Sequence, residues 1–558
     1  MLLLLRILFF LMPAFCRAQT ATNLQQLGQE FWQWRFTTQP ATSDDIQRVE
    51  RPDSWAPDFS PYAIKNQQEK YQDFRSRLDN LSKTSWSLSD SVDYLCLRSA
   101  IERVNWELNV LRHPSRNPDF YVHQTLGALF ELLIINQPYT EQRIENIIHI
   151  LQSFPKTIAA AKINLTEPVA EFAEIALSNL KDAASRLTTV QDELIKTHKI
   201  KNQKVLQEAI KNGAAALVDY EKWINEKLPE MNQDFSCGRE AYVYFLENIA
   251  LIPQTPEALL QQGRIAFNRS VAFETMEKTR NQHLPEDKIF ATIDEEIEKA
   301  IEDEIAIRTF LEEKDIMSVP GWLQHYHYAK TPPEVKAIGM GVFTDFTSET
   351  RLQQNASRYV PEPDADLPYF YRTMAQDPRP IIVHEGVPGH FFQLALSWKN
   401  ANPLRRRFVD SGPIEGIGLY VEEMLLQFGL FDNKPKTREI IYNFMRLRAL
   451  RVEIDIRLAL GTFTIEEAGN YLAETIPMDK ETAVSEAGFF AYNPGQAITY
   501  QIGKLQILNF LGDAKIKLCD KFNLRDFHDY LIVNGNVPIS LQRWEYLGLR
   551  DDVGVFFE

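Results

Sequence analysis

The residues best suited to chemistry lie in Ile381-Ile382-Val383-His384-Glu385-Gly386-Val387-Pro388-Gly389-His390. An apolar run leads into a His-Glu pair, and a second histidine follows. Imidazoles are common ligands of divalent metals, and a glutamate beside such a ligand can act as a general base. In the familiar H-E-x-x-H pattern the histidines sit four apart and share one helix face. Here they sit six apart, where an ideal helix would point the two side chains about 120° from each other. A regular helix would then keep both rings from one ion. Pro388 cannot donate to the carbonyl of His384, and Gly389 permits backbone angles closed to other residues. The spacing therefore predicts a local bulge at Pro388-Gly389 that turns His390 back towards His384. Without that kink these are two ordinary histidines near a helix end.

A third ligand is offered by Gly412-Pro413-Ile414-Glu415-Gly416-Ile417-Gly418-Leu419-Tyr420-Val421-Glu422-Glu423. Glu415 and Glu422 are seven apart and share one helix face. The surrounding Ile414, Ile417, Leu419, Val421, Met424 and Leu425 predict a mostly buried helix, in which a carboxylate needs a partner. Gly416 and Gly418 weaken the helix but allow close helix–helix approach near Glu415. Two histidines and one carboxylate, with a fourth position left to water, make a catalytic zinc pattern. Zinc-bound water has a pKa near 7, and Glu385 is placed to take its proton. Further along, Pro494-Gly495 opens a helix that carries Tyr500. That tyrosine is either a core residue or a donor to a developing oxyanion.

These residues need rigid elements to hold them, and the sequence supplies mainly helices. Amphipathic stretches cover 60–82, 89–112, 119–135, 140–154, 203–229, 256–281 and 293–314. Thr255-Pro256 is a helix start, and Thr292 with Glu295, and Thr464 with Glu467, have capping-box spacing. Residues 317–380 are rich in proline and aromatics, so irregular chain with one short strand around Val342 is expected there. Helices resume at 380. The expected fold class is all-α: an N-terminal helical lobe over 19–316, then a loop-rich connector and a helical metal-binding lobe over 317–558, with a deep cleft between the lobes.

The 558 residues carry a formal charge of −16, which disfavours nucleic acid as a partner. Residues 2–16 are apolar apart from Arg6, and Cys16-Arg17-Ala18 precedes Gln19. Residues 1–18 therefore read as a signal peptide, too short to span a bilayer, with lipid attachment at Cys16 the less favoured option. The mature chain is expected to be secreted or periplasmic and free of membrane. Cys96, Cys237 and Cys519 remain, too widely spaced for a zinc-thiolate site or a disulfide scaffold.

Taken together, H-E-G-V-P-G-H, E-G-I-G-L-Y-V-E and P-G-Q-A-I-T-Y-Q-I-G resemble the bacterial domain-of-unknown-function 885 family. Its usual patterns are H-E-x-x-P-G-H, E-G-W-A-x-Y-x-E and P-G-Q-A-x-x-Y-x-x-G. Arg448-Ala449-Leu450-Arg451 with Asp455, and the stretch from Phe522 to Pro538, match as well, so order and spacing agree across about 380–540. The resemblance implies a fold similar to helical zinc peptidases such as thimet oligopeptidase and Taq carboxypeptidase. By position it implies zinc on His384, His390 and Glu415, Glu385 as base, Tyr500 as oxyanion donor, and Glu422 orienting a histidine. Arg448 and Arg451 would balance buried acids or meet a substrate carboxylate, unless Arg451 and Asp455 form a plain helix pair. Ile417, Ala459, Phe489 and Phe490 depart from the family pattern. The implied activity is hydrolysis of short peptides by one zinc ion, a site that also suits manganese or cobalt. The other reading is a metal-binding helical protein without turnover that holds peptides or envelope partners.

Overall fold

A computed structural model describes residues 22–41, 49–83, 86–198 and 200–557. The leader over 1–18 and Cys16 lie outside the described residues. The fold is mainly α-helical, as expected from the patterning. Pro61–Asp79, Leu88–Asn105, Gln203–Lys227, Pro256–Asn281 and Ile293–Glu313 follow the amphipathic stretches closely.

Local signals explain several boundaries. The Thr255 side chain accepts from the Ala258 N–H with Pro256 in the first turn. Thr464 and Glu467 complete a reciprocal capping box. Thr292 also caps its helix, but the Glu295 carboxylate reaches the Ala291 N–H rather than that of Thr292.

The amphipathic stretch expected over 140–154 is longer in the structure: Glu141–Asn164 runs on through Pro155. Leu151, Phe154, Ile158 and Ala161 are all buried on its inner face, so packing outweighs the one lost backbone bond. Helices at 22–38, Ala170–Leu180 and Ala183–Thr197 had no sequence counterpart.

Residues 317–380 hold more order than expected. Three strands, β1 (Tyr326–Lys330), β2 (Thr344–Asp345) and β3 (Ala356–Val360), form a sheet in the order β1-β3-β2. β1 and β3 run parallel with Tyr326 opposite Ala356, and β2 is antiparallel to β3 with Thr344 opposite Arg358. Val342 itself lies outside the strands, two residues before β2.

The largest core joins helices of the C-terminal half to Val169, Phe172, Phe235 and the helix Ile293–Glu313, so buried packing crosses position 316. Helix Ser411–Gln427 lies against helix Thr499–Leu518. Their crossing needs glycine: a Cβ on Gly503 would stand 2.3 Å from the Gly412 carbonyl oxygen, and one on Gly416 would stand 2.7 Å from Gly503 Cα. Cys96 is buried, Cys237 half-buried and Cys519 exposed, and none is in a disulfide.

Candidate metal centre

The His-Glu segment is not one bulged helix but two helices with a break between them. Ile382–Gly386 forms a wide π-type turn closed by the Val387 N–H on the Ile382 carbonyl at 2.9 Å. Val387 then leaves helical space at φ −123°, ψ 120°, and Val387–Pro388 is a cis peptide. A second helix starts at His390, with the Gln393 N–H bonded to the Gly389 carbonyl at 2.9 Å. Gly389 sits where no other residue fits, since a Cβ there would lie 1.8 Å from the His384 carbonyl oxygen. The break sets the two imidazole centroids 4.6 Å apart, with planes at 74°.

Glu415 arrives from a regular helix, Ser411–Gln427. Its Oε2 lies 3.4 Å from His384 Nε2 and 3.2 Å from His390 Nε2. One ligand atom from each of His384, His390 and Glu415 falls within 4.8 Å of the others, and all three residues are buried. Burial alone would raise the Glu415 carboxyl, but the imidazoles of His390 and His384 outweigh it and hold the group well below the usual carboxylate range.

Two further features suit a metal ion at this spot. Glu415 Oε2 is buried without a well-formed hydrogen bond. Gly418 leaves room for both rings, because a Cβ there would stand 2.7 Å from His384 Cε1 and 2.9 Å from His390 Cε1. Of the two glycines expected to ease helix packing, Gly416 does so and Gly418 faces the imidazoles instead.

Two turns on from Glu415, Glu422 Oε1 stands 2.7 Å from His384 Nδ1 and fixes that ring from behind. Arg448 Nη2 lies 3.8 Å from the same oxygen, so it balances a buried acid. Tyr500 stacks beside His384, with centroids 6.2 Å apart and planes within 14°. Arg451 lies over the Tyr500 ring at 4.8 Å and pairs with Glu486, not with Asp455 as a helix pair would require. Asp455 has another task. It accepts the N–H groups of Gly495, Ala497 and Ile498 at 2.8, 2.7 and 3.2 Å, and the Tyr242 hydroxyl at 3.1 Å. That clamp fixes the turn from which the Tyr500 helix starts.

Glu385 stands outside the ligand set. Its Oε1 is 3.3 Å from Nη1 of Arg358, which also donates to Thr344 Oγ1 at 3.1 Å. Sequence reasoning missed Arg358. It lies on β3, 27 residues before Glu385, and no periodicity links the two; only the sheet brings them together. Phe346, just after β2, places its ring 6.3 Å from His390.

Two cavities lie in the same region, though none of His384, Glu385, His390, Glu415 or Tyr500 lines either. One of about 530 Å³ includes Phe346 and Thr344 in its lining. The other, about 130 Å³, reaches Ser411, four residues before Glu415. His123 borders both. It opens another π-type turn, His123–Gly127, and its Nε2 lies 3.2 Å from the buried Asp119.

No described helix is long and apolar enough to cross a membrane. No curated protein matches the chain at a significant level. Solved structures that share its fold include two bacterial proteins. A candidate lipoprotein of unknown function from Shewanella oneidensis has a TM-score of 0.71 and 15% identity, covering 95% of this chain and 99% of its own. A candidate lipoprotein from Colwellia psychrerythraea has a TM-score of 0.73 and 17% identity, with the same coverage. The model of the family described as bacterial protein of unknown function (DUF885) matches residues 41–544, nearly the whole described molecule, and the chain belongs to that family.

Proposed function

We propose that this chain is a zinc-dependent hydrolase that cleaves amide bonds of short peptides. The observation behind this reading is the buried convergence of His384, His390 and Glu415 within 4.8 Å. Zinc held by these three residues would supply a water acidic enough to lose its proton near neutral pH.

Every other step belongs to the protein. Glu415 would hold the ion as a carboxylate, and Glu422 keeps His384 oriented. Glu385, held by Arg358 at 3.3 Å, takes the proton from the attacking water and passes it to the leaving amine. The Tyr500 hydroxyl donates to the carbonyl oxygen as charge builds on it, with the ring set by His384 on one side and Arg451 on the other.

We place the protein in the cell envelope or outside the cell. The apolar leader over residues 1–18 supports export, and both structural neighbours are described as candidate lipoproteins. Likeness in fold to thimet oligopeptidase and Taq carboxypeptidase belongs to the same reading.

A short-peptide library tests it. The zinc-loaded protein should cleave members of the library, a chelator should stop cleavage, and Glu385→Gln should lower turnover by about 10³-fold or more with zinc still bound. Full rates in that variant would remove Glu385 from its role. No cleavage by the zinc-loaded wild type would favour the peptide-binding reading.

A further inference from the structure

The two faces of β1 carry different residues. Tyr326 and Tyr328 are buried on one of them. Tyr326 closes on the segment that bears the histidines of the metal centre: a Cβ on Gly386 would stand 2.7 Å from Tyr326 Cδ1, and the Tyr326 ring lies 6.2 Å from that of Phe391. Alternation along a strand puts His325 and His327 on the opposite face. His325 precedes β1 but continues its ladder, its carbonyl accepting the Ala356 N–H at 2.9 Å. The two imidazole centroids are 5.5 Å apart, with planes within 14°. No step of the peptidase reading uses either ring.

Each imidazole has a neighbour that decides where its lone pair lies. His325 Nδ1 is 2.8 Å from Glu304 Oε2. Glu304 is fully buried, and its Oε1 pairs with Arg308 at 2.7 Å and takes the Tyr326 N–H at 3.3 Å. An acceptor at Nδ1 puts the proton of the neutral His325 ring there and leaves the lone pair on Nε2. A carboxylate behind the ring in this way is the usual support of a metal-bound histidine. The His325 side chain is 42% exposed, so ions in solution reach it. For His327 the neighbour is Asn355. Its Oδ1 accepts the His325 N–H at 3.1 Å, which turns its Nδ2 to His327 Nδ1 at 3.4 Å. An amide nitrogen only donates, so the neutral His327 ring accepts at Nδ1, through a contact long enough for a cation to replace. Burial holds the His327 imidazole below its usual pKa, against the pull of Glu304, and so keeps it able to ligate at neutral pH.

Two neutral imidazoles side by side suit zinc, copper or nickel. A tilt of each ring would bring one nitrogen from each to about 2.1 Å from a shared ion. Two protein ligands meet here, against three at the centre, so water completes the shell and the ion exchanges with solution.

We propose that His325 and His327 form a second, exchangeable zinc site, backed by Glu304, on the face of β1 turned away from the metal centre. It goes beyond the peptidase reading and does not rest on it. An ion there would tie residues 325 and 327 together around Tyr326, the side chain that abuts Gly386.

Calorimetric titration of zinc into the full-length protein, dialysed beforehand against trace zinc, tests the site. One further zinc should bind, about 100-fold or more weaker than the first for want of a third protein ligand. His325→Ala and His327→Ala should each abolish that weak event and leave the first zinc in place. His390→Ala should do the reverse, losing the tight zinc and keeping the weak one. A wild type that takes up no zinc beyond the first would overturn the proposal, and needs no variant to fold. A weak event unchanged in both alanine variants, or one lost together with the tight zinc in His390→Ala, would overturn it as well. Weak binding that depends on His325 and His327 in a protein whose centre takes no zinc would keep this site and remove the peptidase reading.

Discussion

Two Pro-Gly steps prepare the centre, and they work for different physical reasons. At Pro388-Gly389 the glycine is demanded by crowding: its own φ is an ordinary −78°, but a Cβ would run into the His384 carbonyl at 1.8 Å. At Pro494-Gly495 the glycine is demanded first by conformation, with φ at +93°, and its missing Cβ also spares the Phe245 ring, 2.1 Å away. The first step is held by the chain closing on itself and delivers His390. The second is held from outside, by the Asp455 carboxylate gathering three N–H groups, and delivers Tyr500. One dipeptide thus ends a helix in both places, while the support around it decides which functional group is set. The first junction sets His390, a proposed metal ligand, and the second sets Tyr500, the proposed donor beside it.

The largest expected effect comes from breaking the first junction. Gly389→Ala forces the backbone apart at His384, should cost about 3 kcal/mol or more of stability, and should abolish zinc binding. Thermal unfolding and metal content of the purified variant check both. Breaking the second junction should look different. Gly495→Ala should keep zinc at wild-type content and lower peptide turnover by about 10²-fold through a misplaced Tyr500. If both variants lose zinc alike, the division of labour between the junctions is wrong.

The comparison can be sharpened on the regular helix between them. Glu422→Gln leaves both junctions intact but weakens the hold on His384, so zinc affinity should fall about 10- to 100-fold in a competition titration. A smaller effect concerns pH. Burial pushes the Asp455 carboxyl up to about 7, against the pull of its backbone and Tyr242 donors. Its folded pKa therefore lies above the unfolded value of about 4. The stability it contributes is complete below about pH 4 and is lost as pH rises through about 7. The melting temperature of the wild type should carry that decline between about pH 4 and 7. Asp455→Asn should melt lower at pH 5 and show a flatter pH profile.

What could be read from the sequence follows the same division. Glu415 and Glu422 sit on an unbroken helix, so a seven-residue spacing was enough to put them on one face. His384 and His390 defied ideal phase, yet Pro388-Gly389 marked where the phase must fail. The spacing suggested a bulge rather than the extended break seen, because nothing in a single sequence fixes the angles of Val387. Arg358 was invisible. It reaches Glu385 across a sheet whose strands are two to five residues long, and such strands leave little periodic signal. Asp455 was recognised as a motif residue, but its partners are backbone N–H groups forty residues away, which no side-chain pattern encodes. The long amphipathic helices were legible for the usual reason of one apolar face. The stretch read as 140–154 continues through Pro155 to Asn164 because the core it packs on stabilises the helix from outside.

The account stands on the metal site, and elemental analysis of the purified full-length protein tests it most directly. Wild type, dialysed against trace zinc, should hold about one zinc per chain, and His390→Ala and Glu415→Ala should each hold almost none while keeping the helical circular dichroism of the parent. A wild type that retains no divalent metal under these conditions, or ligand variants with unchanged zinc, would contradict it.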